Sequence, residues 1–142
     1  LSSSTSFHVF EHLKDPIFHL RQLHNALKDN GQVVIEVPNA EDALLTLYDC
    51  DDFKKFSYWS QHLFLYNSQN LKEIASRSGF QDFEVKHVQR YPLANHLYWF
   101  CKGEPGGHNH WSFTNKGSLN LAYESALASI GKTDTLLLLA KK

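Results

Sequence analysis

The sequence predicts an α/β fold built around a strand–helix–strand unit, on three observations. Gln32 to Val37 is a near-continuous β-branched run between Gly31 and Pro38, the pattern of a strand buried on both faces in a parallel sheet. Just before it, Ile17, Leu20, Leu23 and Leu27 recur at helical spacing, which gives one apolar helix face. Phe80 to Gln89 and Thr135 to Ala140 read as two further strands, expected to pair antiparallel at the sheet edge.

The elements follow in chain order. Ser4 to Val9 reads as a short first strand, with Glu11 to Lys14 as its exit loop. Leu1 to Ser6 runs into His8-Val9-Phe10 with neither cap nor turn, so the chain reads as opening within an element whose continuation lies upstream. Asp15-Pro16 starts the first helix, an N-cap side chain followed by proline at a position where its missing N–H costs nothing. Gly31 is expected to end that helix. A strand, helix and strand in this order make a βαβ unit, whose crossover should be right-handed.

Asp42 to Leu47 and Asp51 to Phe56 read as short helices, and Ser68 as the N-cap of a helix from Gln69 to Ser78, ended by Gly79. Tyr91 to Lys132 is too long for a hairpin and carries an amphipathic helix around Leu119 to Ile130. Segments of that length in a compact domain serve as lids or binding walls. The expected organisation is one partial domain: residues 1–90 as core, 91–132 as insertion or lid and substrate wall, and 133–142 as the final strand.

Bulk properties narrow the function classes. A net charge of -1 over 142 residues, with both signs scattered, gives no basic stripe for a phosphate backbone, so no nucleic-acid partner is expected. The longest apolar run, Leu136 to Ala140, is far short of the roughly 20 residues that span a bilayer. Neither membrane insertion nor export is indicated. Cys50 and Cys101 lack metal-ligand spacing, and a reducing cytoplasm is the simplest setting.

Several local words then fall in a meaningful order. Phe7-His8-Val9-Phe10-Glu11-His12-Leu13, Asp15-Pro16, Leu27-Lys28-Asp29-Asn30-Gly31 and Val34-Ile35-Glu36-Val37-Pro38-Asn39 together resemble the passage from fourth to fifth strand of class I S-adenosylmethionine-dependent methyltransferases. Gln61-His62-Leu63-Phe64-Leu65-Tyr66, Leu71 and Ser78-Gly79-Phe80 are similar to a segment of the branch that contains the ubiquinone-biosynthesis O-methyltransferases. The resemblance covers the first 90 residues and the last strand.

It implies the C-terminal half of a Rossmann-like sheet, strands 4-5-7-6 with the last one antiparallel, and methyl transfer from S-adenosylmethionine to an O or N atom of a small molecule. That family's glycine-rich cofactor loop has no counterpart upstream of Ser6, so the 142 residues by themselves are expected to bind the cofactor poorly. The first strand would be a bare edge from Ser4 to Val9, open to self-association. The rival expectation is a non-catalytic α/β binding or dimerisation module derived from such an enzyme.

The resemblance also implies a site. Ser6, Phe7 and His8 would lie beside the methionine end of the cofactor, and Asn39, Tyr58, Trp59 and Tyr66 would border the acceptor. His12 or His62 would take the acceptor proton as general base, because an imidazole titrates near neutrality.

His8, Glu11, His12 and His62 could together hold a divalent metal, since mixed imidazole and carboxylate ligands suit one. Some relatives carry E-x-x-E-H and a later histidine for magnesium or manganese, and here His8 replaces the first glutamate. A helix-capping or loop-bonding role for Glu11 and His12 outweighs the metal reading, and a metal-dependent RNA-end methyltransferase is disfavoured by the acidic balance. Gly106-Gly107-His108-Asn109-His110-Trp111 reads as a solvated turn. Tyr91, His96, Tyr98 and Trp99 either line a substrate wall or pack the lid.

Overall fold

The computed structural model describes residues 1–7, 9–58 and 64–142. Its sheet order is β1 (Ser3–Phe7), β2 (Gln32–Pro38), β4 (Thr135–Lys141), β3 (Asp82–Val88). With β1 to β4 standing for strands 4, 5, 6 and 7, this is the predicted order 4-5-7-6. β1 and β2 are parallel, with Ser3 opposite Gln32 and Phe7 opposite Glu36. β4 runs against β2, because Lys142 at its end exchanges backbone hydrogen bonds with Asn30 and Gly31 at the start of β2.

The chain divides into two compact units. The first holds Leu1–Asn39, His62–Lys86 and Leu136–Lys142, and the second holds Ala40–Gln61 and His87–Thr135. In the first, α1 (Pro16–Ala26) begins as expected: Phe18 N donates to Asp15 Oδ1 at 2.9 Å, with Pro16 opening the helix. It ends at Leu27, four residues before Gly31. Asn30, at φ 64°, takes the left-handed turn conformation that had been expected of the glycine.

β2 departs from the two-sided burial expected of it. Val33, Ile35 and Val37 are fully buried, whereas Val34, Glu36 and Pro38 are half-buried. The buried face joins Leu136 and Leu138 of β4, Leu20 of α1 and Leu71 and Ala75 of α4 (Ser68–Arg77) in one core. Each such Val, Leu or Ile side chain contributes about 1.5–3 kcal/mol by leaving water.

The cap of α4 is a second correction. Asn67, not Ser68, is the N-cap: Asn70 N donates to Asn67 Oδ1 and Asn67 N donates to Asn70 Oδ1, a reciprocal capping box. Asparagine at both ends replaces the usual Ser/Thr and Glu pair, which is why the sequence pointed one residue too late.

The second unit is more helical than expected. α2 (Ala43–Thr46) and α3 (Asp51–Tyr58) occupy the predicted places. The stretch read as a lid holds α5 (Leu93–Lys102) and α6 (Gly107–His110) in addition to the expected helix, α7 (Gly117–Ser129). α5 follows Pro92 and closes on left-handed Gly103 (φ 67°). The expected solvated turn at 106–111 is instead a helical turn packed on α5. Gly107 is buried there, and an added Cβ would meet the Ala94 carbonyl and Tyr98 Cβ at 2.4 Å. The His110 ring stacks on Tyr98 at 5.1 Å.

α7 packs through one of its three leucines. Leu127 is buried while Leu119, Leu121 and Ile130 are exposed. Among the described residues, no helix is long and apolar enough to cross a membrane.

Replacing Asn67 by Ala should cost about 1 kcal/mol and Ser68→Ala only a few tenths, measured by urea unfolding; the reverse ranking would return the cap to Ser68. Gly107→Ala should cost at least about 1–3 kcal/mol by overpacking, read as a lower thermal midpoint.

Candidate functional site

Parallel strands leave a sheet at the same end, and ligands of open α/β sheets bind outside those carboxyl ends. In the first unit this end is built by the segments that follow β1 and β2. A one-turn 3₁₀ helix, Phe10–His12, follows β1. Its first two side chains are buried, Phe10 2% and Glu11 1% exposed. The His12 side chain is 44% exposed, with Nε2 4.0 Å from Glu11 Oε1.

Asn39, just past β2, is buried and forms an isolated parallel bridge with Tyr66. Tyr66 in turn donates its hydroxyl to the Phe10 carbonyl at 3.3 Å, and Phe64 N donates to the Glu11 carbonyl at 3.2 Å. The 64–66 segment thus ties both strand exits together. Burial, followed by the negative Glu11, pushes the Tyr66 hydroxyl up to about 12, so it remains a protonated donor near neutrality.

The structure therefore brings Glu11, His12, Asn39 and Tyr66 to one end of the sheet, with His12 the exposed titratable group. Ser6 sits half-buried in β1 opposite Ile35, and the Phe7 backbone pairs with Glu36. Tyr58 ends α3 in the second unit and is exposed. His8, Trp59 and His62 lie outside the described residues. Of the four candidate metal ligands, Glu11 and His12 are adjacent, and no set of three or more such groups gathers among the described residues.

The second unit holds a polar cluster that the sequence did not announce. Asp134, before β4, accepts from Arg90 N and Tyr91 N at 2.9 Å each and from Thr135 Oγ1 at 2.7 Å. Gln89 completes the clamp: its Nε2 donates to Asp134 Oδ2 and the Tyr91 carbonyl, and its Oε1 accepts from Asp134 N. His96 is 1% exposed, with Nδ1 2.8 Å from the Tyr123 hydroxyl, which lies 3.0 Å from that of Tyr48. Tyr98 and Trp99 are buried beside it, so these three expected wall residues pack the unit, while Tyr91 is exposed.

Charges in this cluster are shifted by burial. Asp42, the N-cap of α2 through Leu44 N at 2.7 Å, is pushed up to about 7 by burial; Leu44 N–H opposes this and Asp134 reinforces it. Burial holds the His96 imidazole down to about 4. Asp42 reads in the sequence as the first residue of its helix rather than the N-cap, and its burial beside Asp134 was not legible, since the two are remote in sequence.

The family comparison agrees with the sheet. The family described as methyltransferase domain matches residues 5–85, more than half of the chain, and the chain belongs to that family. Among solved structures, an S-adenosylmethionine-dependent methyltransferase from Archaeoglobus fulgidus is similar with a TM-score of 0.60 and 21% identity, over 100% of this chain and 59% of its own. Phosphoethanolamine N-methyltransferase 2 of Haemonchus contortus, in complex with S-adenosyl-L-methionine, gives 0.56 and 19% over 100% and 33%.

A Thermotoga maritima protein described as a possible histamine N-methyltransferase gives 0.61 and 13% over 99% and 56%. At these identities the likeness is one of fold. The chain spans between a third and three fifths of these proteins' lengths. No curated protein matches.

Asp42 supplies a pH test. Its folded value near 7 lies above the ordinary 3.8, so the unfolded chain releases this proton first. Its contribution therefore falls as pH rises from about 4 to 7. His96 works in the opposite sense: being held neutral, it adds stability as pH rises from about 4 to 6.5. Only the difference between a variant and the parent isolates Asp42. Asp42→Asn keeps a good N-cap and should match the parent at pH 4 and exceed it at pH 8 by on the order of a few kcal/mol, in urea titrations at each pH.

Proposed function

We propose that this chain is the carboxyl-terminal sheet portion of an S-adenosylmethionine-dependent methyltransferase acting in the cytoplasm on an O or N atom of a small molecule. The observation that carries the reading is the parallel β1–β2 pair, most of it in the matched residues 5–85, with its exits gathered around Glu11, His12, Asn39 and Tyr66. The ubiquinone-biosynthesis O-methyltransferase branch is favoured by the Gln61 to Tyr66 word.

Bound S-adenosylmethionine supplies a methyl group on a positively charged sulfur. Ser6, Phe7 and His8 are assigned to its methionine end, but the first glycine of the chain is Gly31. The close backbone approach that a glycine-rich loop allows would come from elsewhere in a longer protein. The outer edge of β1 is where further strands of that protein, or a second copy of this chain, would add.

His12 is the exposed group able to accept the proton an acceptor sheds as the methyl arrives, and much of the rate would come from alignment. Asn39 and Tyr66 act by holding the two strand exits together. Tyr58 and Trp59 are assigned to the acceptor side. A metal at His8, Glu11, His12 and His62 is the lesser alternative.

The full-length protein, given cofactor with a labelled methyl group, should label hydroxyl or amine acceptors; no transfer across a broad panel of both would sink the reading. His12→Ala should lower kcat about 10²–10⁴-fold with KM little changed, and an unchanged kcat would remove His12 from the mechanism. The 142 residues alone should show no micromolar cofactor binding by titration calorimetry.

A further inference from the structure

The inward face of α7 carries polar groups beside the buried Leu127. Asn120, Tyr123, Glu124 and Leu127 share one face at helical spacing, and the first three line a cleft of about 500 Å³. Its opposite wall is the turn from Arg90 to Leu93, with His108 beside it. The whole cleft is built by the second unit. Its volume falls within the range of small-molecule pockets, about 300–1,000 Å³.

The polar inventory of the cleft is weighted toward acceptors. Glu124 takes one long hydrogen bond, 3.3 Å from Gln89 N to Oε1, leaving a carboxylate oxygen with further capacity. Asn120 Oδ1 is removed from solvent and meets no donor. Asn115 spends its Nδ2 on the His108 carbonyl, so its oxygen is the group left over.

The aromatic walls point the same way. The Tyr91 and His108 rings lie 5.5 Å apart. Tyr123 already has its hydroxyl between His96 and Tyr48, so its contribution to a ligand is its ring. The one cation of the lining, Arg90, is matched by Asp134, which accepts from the Arg90 backbone and feels its guanidinium charge. What the cleft lacks is a ligand with N–H donors and positive charge, which a carboxylate and π faces together attract.

We infer that this cleft binds a small aryl-alkyl or alkyl ammonium compound, with Glu124 pairing the ammonium and Tyr91 and Tyr123 flanking its carbon portion. Binding there does not rest on His12 or on the cofactor, although Tyr91, one of the residues expected to line a substrate wall or pack the lid, lines the cleft.

The test is titration of the full-length protein with 2-phenylethylamine, its neutral counterpart 2-phenylethanol and the anion phenylacetate. The amine should bind at least about tenfold tighter than the alcohol, and phenylacetate more weakly than either. Glu124→Gln should bring amine and alcohol within about twofold of each other while leaving alcohol binding and the far-ultraviolet dichroism in place. Equal binding of amine and alcohol by the parent, preference for phenylacetate, or a Glu124→Gln protein that keeps the preference would overturn it. A variant that fails to fold leaves the parent's three-ligand comparison as the deciding measurement.

Discussion

Five residues of β1 lie in register against the first five of β2, and because the strands run the same way both leave the sheet at one end. Everything gathered there follows from that pairing. A shift of one residue would turn Val33, Ile35 and Val37 out of the core and exchange them for Val34 and Glu36, so the buried face holds the register firmly. The strand exits then have fixed positions, and the 64–66 segment can bind both through Tyr66 and the Glu11 carbonyl. The exposed His12 is carried by the buried Phe10 and Glu11 that precede it.

The second unit is organised by a different kind of constraint. Asp134 and Gln89 exchange hydrogen bonds with each other and with the backbone of residues 90 and 91. Buried polar groups satisfied in this way specify a conformation more sharply than apolar packing does, because losing one partner strands the rest. The clamp sets the turn before α5, and α5 carries His96, Tyr98 and Trp99 inward. The cost shows in Asp42 and His96, both of which burial moves toward their neutral forms.

Some of this was legible in the sequence and some was not, for reasons particular residues make plain. The Asp15-Pro16 start, the β-branched run of β2 and the leucines of β4 act over a few neighbouring positions, so propensity and period locate them. α5 was not legible because its Leu-Ala-Asn-His-Leu-Tyr-Trp-Phe run is rich in Asn, His and aromatic residues, which are only moderate helix formers. Its Pro92 and Gly103 punctuation was the signal available. α7 lies where its helix was expected, but that its inward face presents Asn120, Tyr123 and Glu124 beside Leu127 was not readable from the sequence.

The sequence by itself determined the α/β class, the succession of the strands, the cap of α1, and the ordered words that resemble the methyltransferase family. Those features depend on local backbone preference and short-range periodicity. Only the tertiary structure decided which face of β2 is deeply buried, that Glu11 lies inside while His12 remains outside, that Asn67 caps α4, and that Asp134 clamps a turn more than 40 positions away. Burial and hydrogen-bond partnership between distant residues exist only once the chain has folded, and the chemistry of both candidate sites rests on them.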